Sequence, residues 1–288
     1  MHRMGEHRRG PSPSHERVIL SRVTQAHSPL TCQPTILSAP FGNYIQPAGV
    51  TATLGTFTAQ ARGGRLWQIL KTVRYYRRLG AWVNKMGLRN PGMTWLVDKV
   101  AAGKVDVRDK LVSIHGFTPE DWQQLLKQVT QIAPLGVELN MSCPNVGAIH
   151  WPKTLFADAM ATGVPVVVKL PPIRYEQMVE QALAAQVKVF HCCNTLPVAG
   201  GGMSGRPLKP LALQCLQAIR QQPGADQLTL IGGGGIFAPA DVDDYVAAGA
   251  NHVALGTVAM DPRLLWTHKP IEPLIDHARL KLTQAVTG

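Results

Sequence analysis

What most constrains this chain is the rhythm of its hydrophobic runs. From Gln33 onward, short β-branched or apolar runs alternate with longer stretches of helical periodicity. Runs of strand character fall at 35–38, 50–54, 111–114, 137–140, 166–170, 189–193, 228–231 and 252–255. Several are apolar at successive positions, as strands covered on both faces must be. Strands alternating with helices form a parallel sheet, and eight of them predict one closed α/β barrel, a single (β/α)8 TIM barrel. A chain of 288 residues with 45% hydrophobic content can bury such a core. The expected division is a basic, disordered extension over 1–32 and a barrel domain over 33–288.

In such barrels the chemistry gathers where strands end at their C-termini. Polar residues do end these strands: His115, Asn140, Lys169, Asn194 and the glycines 232–235. After the fourth run stands Glu138-Leu-Asn-Met-Ser-Cys-Pro-Asn145, a thiol between two carboxamides. Each amide offers a donor and an acceptor, so two can hold a planar ring of alternating C=O and N–H groups. Cys143 between them can take a proton from such a ring or attack it.

The seventh run enters Gly232-Gly-Gly-Gly235 and the eighth ends in Gly256-Thr257. Glycines let backbone N–H groups approach an anion, so adjacent strands 7 and 8 offer a phosphate site. Tight strand-to-helix turns are the plainer reading. The glycines lack the spacing of a dinucleotide fingerprint. Lys169 closes its strand and either meets an anion or extends toward solvent.

Charge is uneven. Residues 1–90 hold 13 Lys/Arg against Glu6 and Glu16, whereas the remainder holds 16 of each sign. An anionic partner would therefore meet the N-terminal third. Within it, 66–79 reads as a basic amphipathic helix with apolar residues at 66, 69, 70, 73 and 76. Its stripe is expected to face the core, with membrane-surface or RNA contact as the alternatives. The segment 81–92 reads as a cap over the barrel mouth. The segment 200–210 reads as a mobile loop before a helix over 211–221. Five cysteines without metal-ligand spacing point to free thiols and a reducing cytoplasmic setting. No apolar run approaches the roughly 18 residues of a membrane span, and no metal site is expected.

Taken in order, these motifs resemble dihydroorotate dehydrogenases over about residues 33–262. Asn84-Lys-Met-Gly-Leu88 resembles the family's orotate-contacting segment, and Val112-Ser-Ile-His-Gly116 its third-strand motif. Lys169-Leu-Pro-Pro172 resembles its flavin lysine motif, and Asn194-Thr195 its sixth-strand pair. Gly201-Gly-Met-Ser-Gly205 with Lys209-Pro210 resembles its GGLSG…KP loop. The Ser-Cys-Pro form of the central motif is that of the soluble class 1 enzymes.

The resemblance implies FMN at the C-terminal strand ends, held by Lys169, Ser204, Gly205, Gly234, Gly235, Gly256 and Thr257. It implies a pyrimidine contacted by Asn84, Met86, Gly87, Leu88, Asn140, Asn145, Asn194 and Thr195. Cys143 would be the base in oxidation of dihydroorotate to orotate, with hydride passing to flavin N5. A homodimer and an electron-transfer partner subunit are further implications. The acceptor stays open among fumarate, NAD through an iron–sulfur partner, and quinone. One departure stands out: Gly55 aligns with a family lysine after the second strand, for which Lys71 or Lys85 would have to substitute. The motif also resembles that of transfer-RNA dihydrouridine synthases, so an RNA-reducing enzyme and a flavin-binding but catalytically impaired barrel are the competing expectations.

Overall fold

In the computed structural model of the chain, residues 30–141 and 151–287 are described, with backbone alone for 285–287. Its strands are β1 (Thr35–Leu37), β2 (Val50–Phe57), β3 (Arg74–Tyr76), β4 (Ala81–Asn84), β5 (Leu111–Ile114) and β6 (Gly136–Asn140). They continue with β7 (Val166–Leu170), β8 (Val189–Cys192), β9 (Leu196–Val198), β10 (Gly201–Gly205), β11 (Thr229–Gly233) and β12 (His252–Leu255). The helices are α1 (Arg65–Thr72), α2 (Met93–Ala101), α3 (Pro119–Ile132), α4 (Leu155–Met160), α5 (Glu176–Ala184), α6 (Leu208–Arg220), α7 (Pro239–Ala247) and α8 (Glu272–Thr287).

Eight strands close a barrel in the order β1-β12-β11-β8-β7-β6-β5-β2. All neighbours in it are parallel. Parallel neighbours need crossovers, and the outer helices supply them. Helix α3 shows how the sequence writes one. Thr118 accepts from Asp121 N–H, Pro119 opens the first turn, and Trp122, Leu125, Leu126, Val129 and Ile132 bury one face.

Side chains two residues apart on a strand share a face, so the interior is layered. Ile36, Leu111, Val167, Val189, Ile231 and Ala254 form an apolar floor, against which Leu30 and Cys32 pack. Two residues further along their strands, Ser113, Lys169 and His191 replace the apolar side chains and are buried. The barrel is thus sealed at its N-terminal end and polar toward its C-terminal end.

A second sheet, antiparallel in the order β3-β4-β10-β9, grows from the excursions after β2 and β8. It corrects three expectations. The predicted helix over 66–79 stops at Thr72, because Val73-Arg-Tyr-Tyr76 is β-branched and aromatic and pairs with β4. Arg74 caps the helix end through Leu70, Lys71 and Val73 carbonyls. The cap over 81–92 begins as a strand. The expected loop over 200–210 is strand β10 followed by α6, which starts at Leu208 rather than Leu211. Glycines permit that pairing: a Cβ on Gly205, at φ +107°, would sit 3.0 Å from Ala81 Cα.

The apolar stripe of α1 also differs from expectation. None of its residues is buried. Leu66, Trp67 and Leu70 are 78%, 69% and 74% exposed.

Candidate active site

The polar interior begins at Glu138 on β6, which is wholly buried. Its Oε2 accepts a 2.7 Å hydrogen bond from His191 Nδ1 on β8. Its Oε1 has no hydrogen-bond partner but lies 3.6 Å from Lys169 Nζ on β7. Burial alone would raise the carboxyl's pKa. Lys169 and the His191 bond outweigh it and hold the group down at about 2. Burial lowers the His191 pKa, with Lys169 acting in the same sense, so the ring is neutral near pH 7. Because an ionised carboxylate only accepts, Nδ1 carries the ring proton. Lys169 is itself 5% exposed and therefore has its counter-ion inside the barrel.

One step nearer the mouth lies a chain of hydrogen-bonded side chains. Thr56 Oγ1 meets Ser113 Oγ at 3.0 Å, Asn140 Nδ2 donates to Thr56 Oγ1 at 2.9 Å, and Asn194 Nδ2 donates to Asn140 Oδ1 at 2.7 Å. The backbone carbonyl of Asn140 also accepts from buried His115 Nδ1 at 2.7 Å. Burial lowers the pKa of His115, and the bond to Asn140 opposes this. Asn140 is thus held from three sides, yet its amide retains a second N–H and a second lone pair.

Thr56 points into this chain because β2 is irregular. The ladder pairs Leu54 with Val112 but Phe57 with Ile114, which leaves a bulge between them. Asn43 clamps the bulge by bonding both the N–H and the C=O of Gly55. Gly55 sits at φ +102°, and an added Cβ would run into Ser113 O and lie 2.8 Å from Phe57 N. A lysine therefore has no place at 55 with this backbone. Lys71 and Lys85 are both exposed, so neither substitutes for it within the barrel.

Asn84 ends β4 opposite Gly202, which in turn pairs with Pro197 just beyond Asn194 and Thr195. The upper sheet therefore carries Asn84 alongside the β8 extension. Met86 N–H bonds Asn84 Oδ1 at 3.4 Å. Gly87 and Leu88 both take positive φ, +63° and +54°. For leucine this conformation costs about 1 kcal/mol or more. It is fixed by Arg62 Nε bonding Gly87 O at 3.0 Å and Asn90 Nδ2 bonding Leu88 O at 2.7 Å. Asn90, buried, also binds Thr58 through both ends of its amide and so fastens the segment to β2. Thr195 N–H bonds Asn194 Oδ1.

Gly233 pairs with Ala254, so Gly234-Gly235 and Gly256-Thr257 leave neighbouring strands at one edge. Gly234 and Gly235 have φ of +127° and +70°. A Cβ on Gly235 would lie 3.0 Å from Gly205 O, which brings the end of β10, with Ser204 and Gly205, to the same corner. A Cβ added at Gly256 would lie 3.8 Å from Ser38 Cβ, which places β1's end beside this corner. Lys209 ion-pairs with Asp241 and Asp244 and ties α6 to α7. Asp241 also accepts from Phe237 and Ala238 N–H, which fixes the start of α7.

Cys143 and Asn145 lie outside the described residues. Thr56, Ser113, Glu138 and His191 carry no role in the sequence expectations, although the structure places them at the centre. The signal was present for two of them: an acid and a histidine inside apolar parallel strands demand partners. Among the described residues no group of three or more His, Cys, Asp or Glu could hold a metal ion, and Cys32, Cys192, Cys193 and Cys215 are free thiols.

Residues 44–274 match the sequence profile of the family described as dihydroorotate dehydrogenase. Among curated proteins, the chain is 30% identical over 216 residues to dihydroorotate dehydrogenase A (fumarate) of Lactobacillus helveticus. That alignment covers 65% of this chain and 69% of the relative. It is 32% identical over 205 residues to the catalytic subunit of dihydroorotate dehydrogenase B (NAD(+)) of Halalkalibacterium halodurans, covering 61% and 65% respectively. Among solved structures, a DHODH from Eimeria tenella in complex with ferulenol superposes with a TM-score of 0.64 at 15% identity. It covers 92% of this chain and 86% of that one, which shows a shared fold.

Proposed function

The chain belongs to the dihydroorotate dehydrogenase family of oxidoreductases, and on that basis we propose that it oxidises dihydroorotate to orotate with FMN as its cofactor. The observation that carries the proposal is the hydrogen-bonded run from buried Thr56 and Asn140 to half-buried Asn194 beside Lys169, at the C-terminal strand ends. When bound, FMN supplies the hydride acceptor. The residues present suit it. Gly234, Gly235, Gly256 and Thr257 would hold its phosphate, with Ser204 and Gly205 at the same corner. Lys169, ion-paired with Glu138, would face the growing negative charge of a reduced ring.

Asn140 and Asn194 would orient the pyrimidine, and their mutual bond fixes both amide planes before substrate arrives, which lowers the cost of binding. Asn84, Met86, Gly87, Leu88, Asn145 and Thr195 would complete the pocket. Cys143 would accept the proton from the substrate's C5. The family match over 44–274 favours this reading over an RNA-reducing one. The relatives named for fumarate and for NAD(+) supply two candidate acceptors, the second through a partner subunit.

The test is anaerobic mixing of FMN-loaded protein with dihydroorotate while flavin absorbance is followed. Rapid bleaching is expected. A spectrum perturbed by orotate without bleaching by dihydroorotate would instead indicate a disabled homologue.

A further inference from the structure

Helix α1 and strand β3 form a surface that the barrel chemistry does not use. Leu66, Trp67 and Leu70 of α1 stand out from the molecule, and Tyr75, Tyr76 and Leu79 are each at least half exposed. A helix built with an apolar stripe ordinarily buries it; this one buries nothing. Large apolar side chains left exposed together on one helix mark an interaction site.

The charge around it narrows the partner. No Asp or Glu occurs from residue 17 to residue 97. Within 58–97 stand Arg62, Arg65, Lys71, Arg74, Arg77, Arg78, Lys85 and Arg89. Arg65 and Arg89 bond local carbonyls, and Arg74 caps α1. Lys71, Arg77 and Arg78 are exposed and form no ion pair with a described residue. An isologous pairing with its two-fold axis through this cluster would set one basic group against another. RNA would use the cations but gives no return for exposed Leu66, Leu70 and Leu79. Aliphatic side chains, an exposed tryptophan, tyrosines and unpaired cations on one short amphipathic element together suit the interface of an anionic bilayer.

We propose that the α1–β3 surface docks the protein on anionic lipid membranes, with Leu66, Trp67 and Leu70 entering the headgroup–acyl boundary and Lys71, Arg77 and Arg78 facing lipid phosphates and carboxylates. This is attachment at a surface: no helix among the described residues is long and apolar enough to cross a membrane. The docked surface adjoins the substrate segment, since Gln68 Nε2 bonds Lys85 O at 2.6 Å and Thr72 Oγ1 accepts from Lys85 N–H at 3.2 Å. The inference stands on its own observations and does not require that the oxidation proposed above be correct.

The experiment is sedimentation of the full chain with phosphatidylcholine vesicles, with and without phosphatidylserine, at low and high salt. Binding is expected to the mixed vesicles, weaker at high salt and absent on phosphatidylcholine alone. Each basic residue at an anionic surface contributes about fivefold in affinity, so K71Q/R77Q/R78Q should weaken binding roughly a hundredfold. W67E/L70E should abolish it with an unchanged thermal melt, whereas K104Q, remote from the surface, should bind like the wild type. Three results would each overturn the proposal. One is no binding to the mixed vesicles. Another is a solution dimer that W67E/L70E dissociates, which would make the surface a self-interface. The third is salt-sensitive RNA retention that the same variants remove.

Discussion

Replacing Glu138 with glutamine removes one charge from the barrel interior and almost no volume. Lys169 Nζ would keep its position 3.6 Å from the side chain but lose its counter-ion. At an effective dielectric of about 20, two unit charges at that separation attract by about 5 kcal/mol. Removing one partner of a buried pair generally costs about 3–5 kcal/mol, because the remaining charge is stranded. Proton linkage gives a second route to the magnitude. The carboxyl falls from an ordinary 4.5 to about 2 on folding, worth roughly 3 kcal/mol. A depressed carboxyl stabilises above its unfolded pKa and loses that contribution as pH falls through the folded one. Wild-type stability should therefore decline between about pH 4.5 and 2, and E138Q should lack that component. Urea unfolding of both proteins across this range measures it. The variant should be less stable by about 3 kcal/mol near neutrality, and the gap should narrow in acid. K169M added to E138Q should recover much of the loss, since exchanging both partners for neutral groups strands nothing. A variant within about 1 kcal/mol of wild type at pH 7 would refute the claim that Glu138 is the counter-ion on which buried Lys169 depends.

Three further outcomes follow from the geometry. Gly55→Ala forces a Cβ against Ser113 O at positive φ, so the folded protein should lose more than about 3 kcal/mol; an unchanged melt would show that β2 can relax there. Asn140→Ala removes one hydrogen-bond partner from each of Thr56 and Asn194 together with an amide proposed to meet the pyrimidine, and orotate titration should show affinity reduced at least about tenfold while flavin stays bound. Affinity equal to wild type would place the pyrimidine elsewhere. Cys143→Ala should end dihydroorotate-dependent bleaching and leave the flavin spectrum intact, whereas undiminished bleaching would assign the base to another residue.

The sequence by itself determined the barrel. All eight strands are legible within a few residues, because buried parallel strands must be apolar at successive positions and tertiary context has little left to change. The polar strand ends, Asn140, Lys169 and Asn194 among them, were legible for the same reason: polar residues ending apolar runs are conspicuous. Only tertiary structure decided what depends on partners distant in sequence. Residues 74–76 became a strand because β4 was there to pair with it, and Gly201–Gly205 because β4 and β9 flank it on both sides. Thr56 entered the site through a bulge that Asn43 clamps from another loop. Glu138, Lys169 and His191 lie on three neighbouring strands, and their mutual neutralisation is a property of barrel closure. The outward face of α1 is the plainest case: periodicity fixes that a helix has an apolar side, but only the packing of the whole chain determines whether that side meets a core.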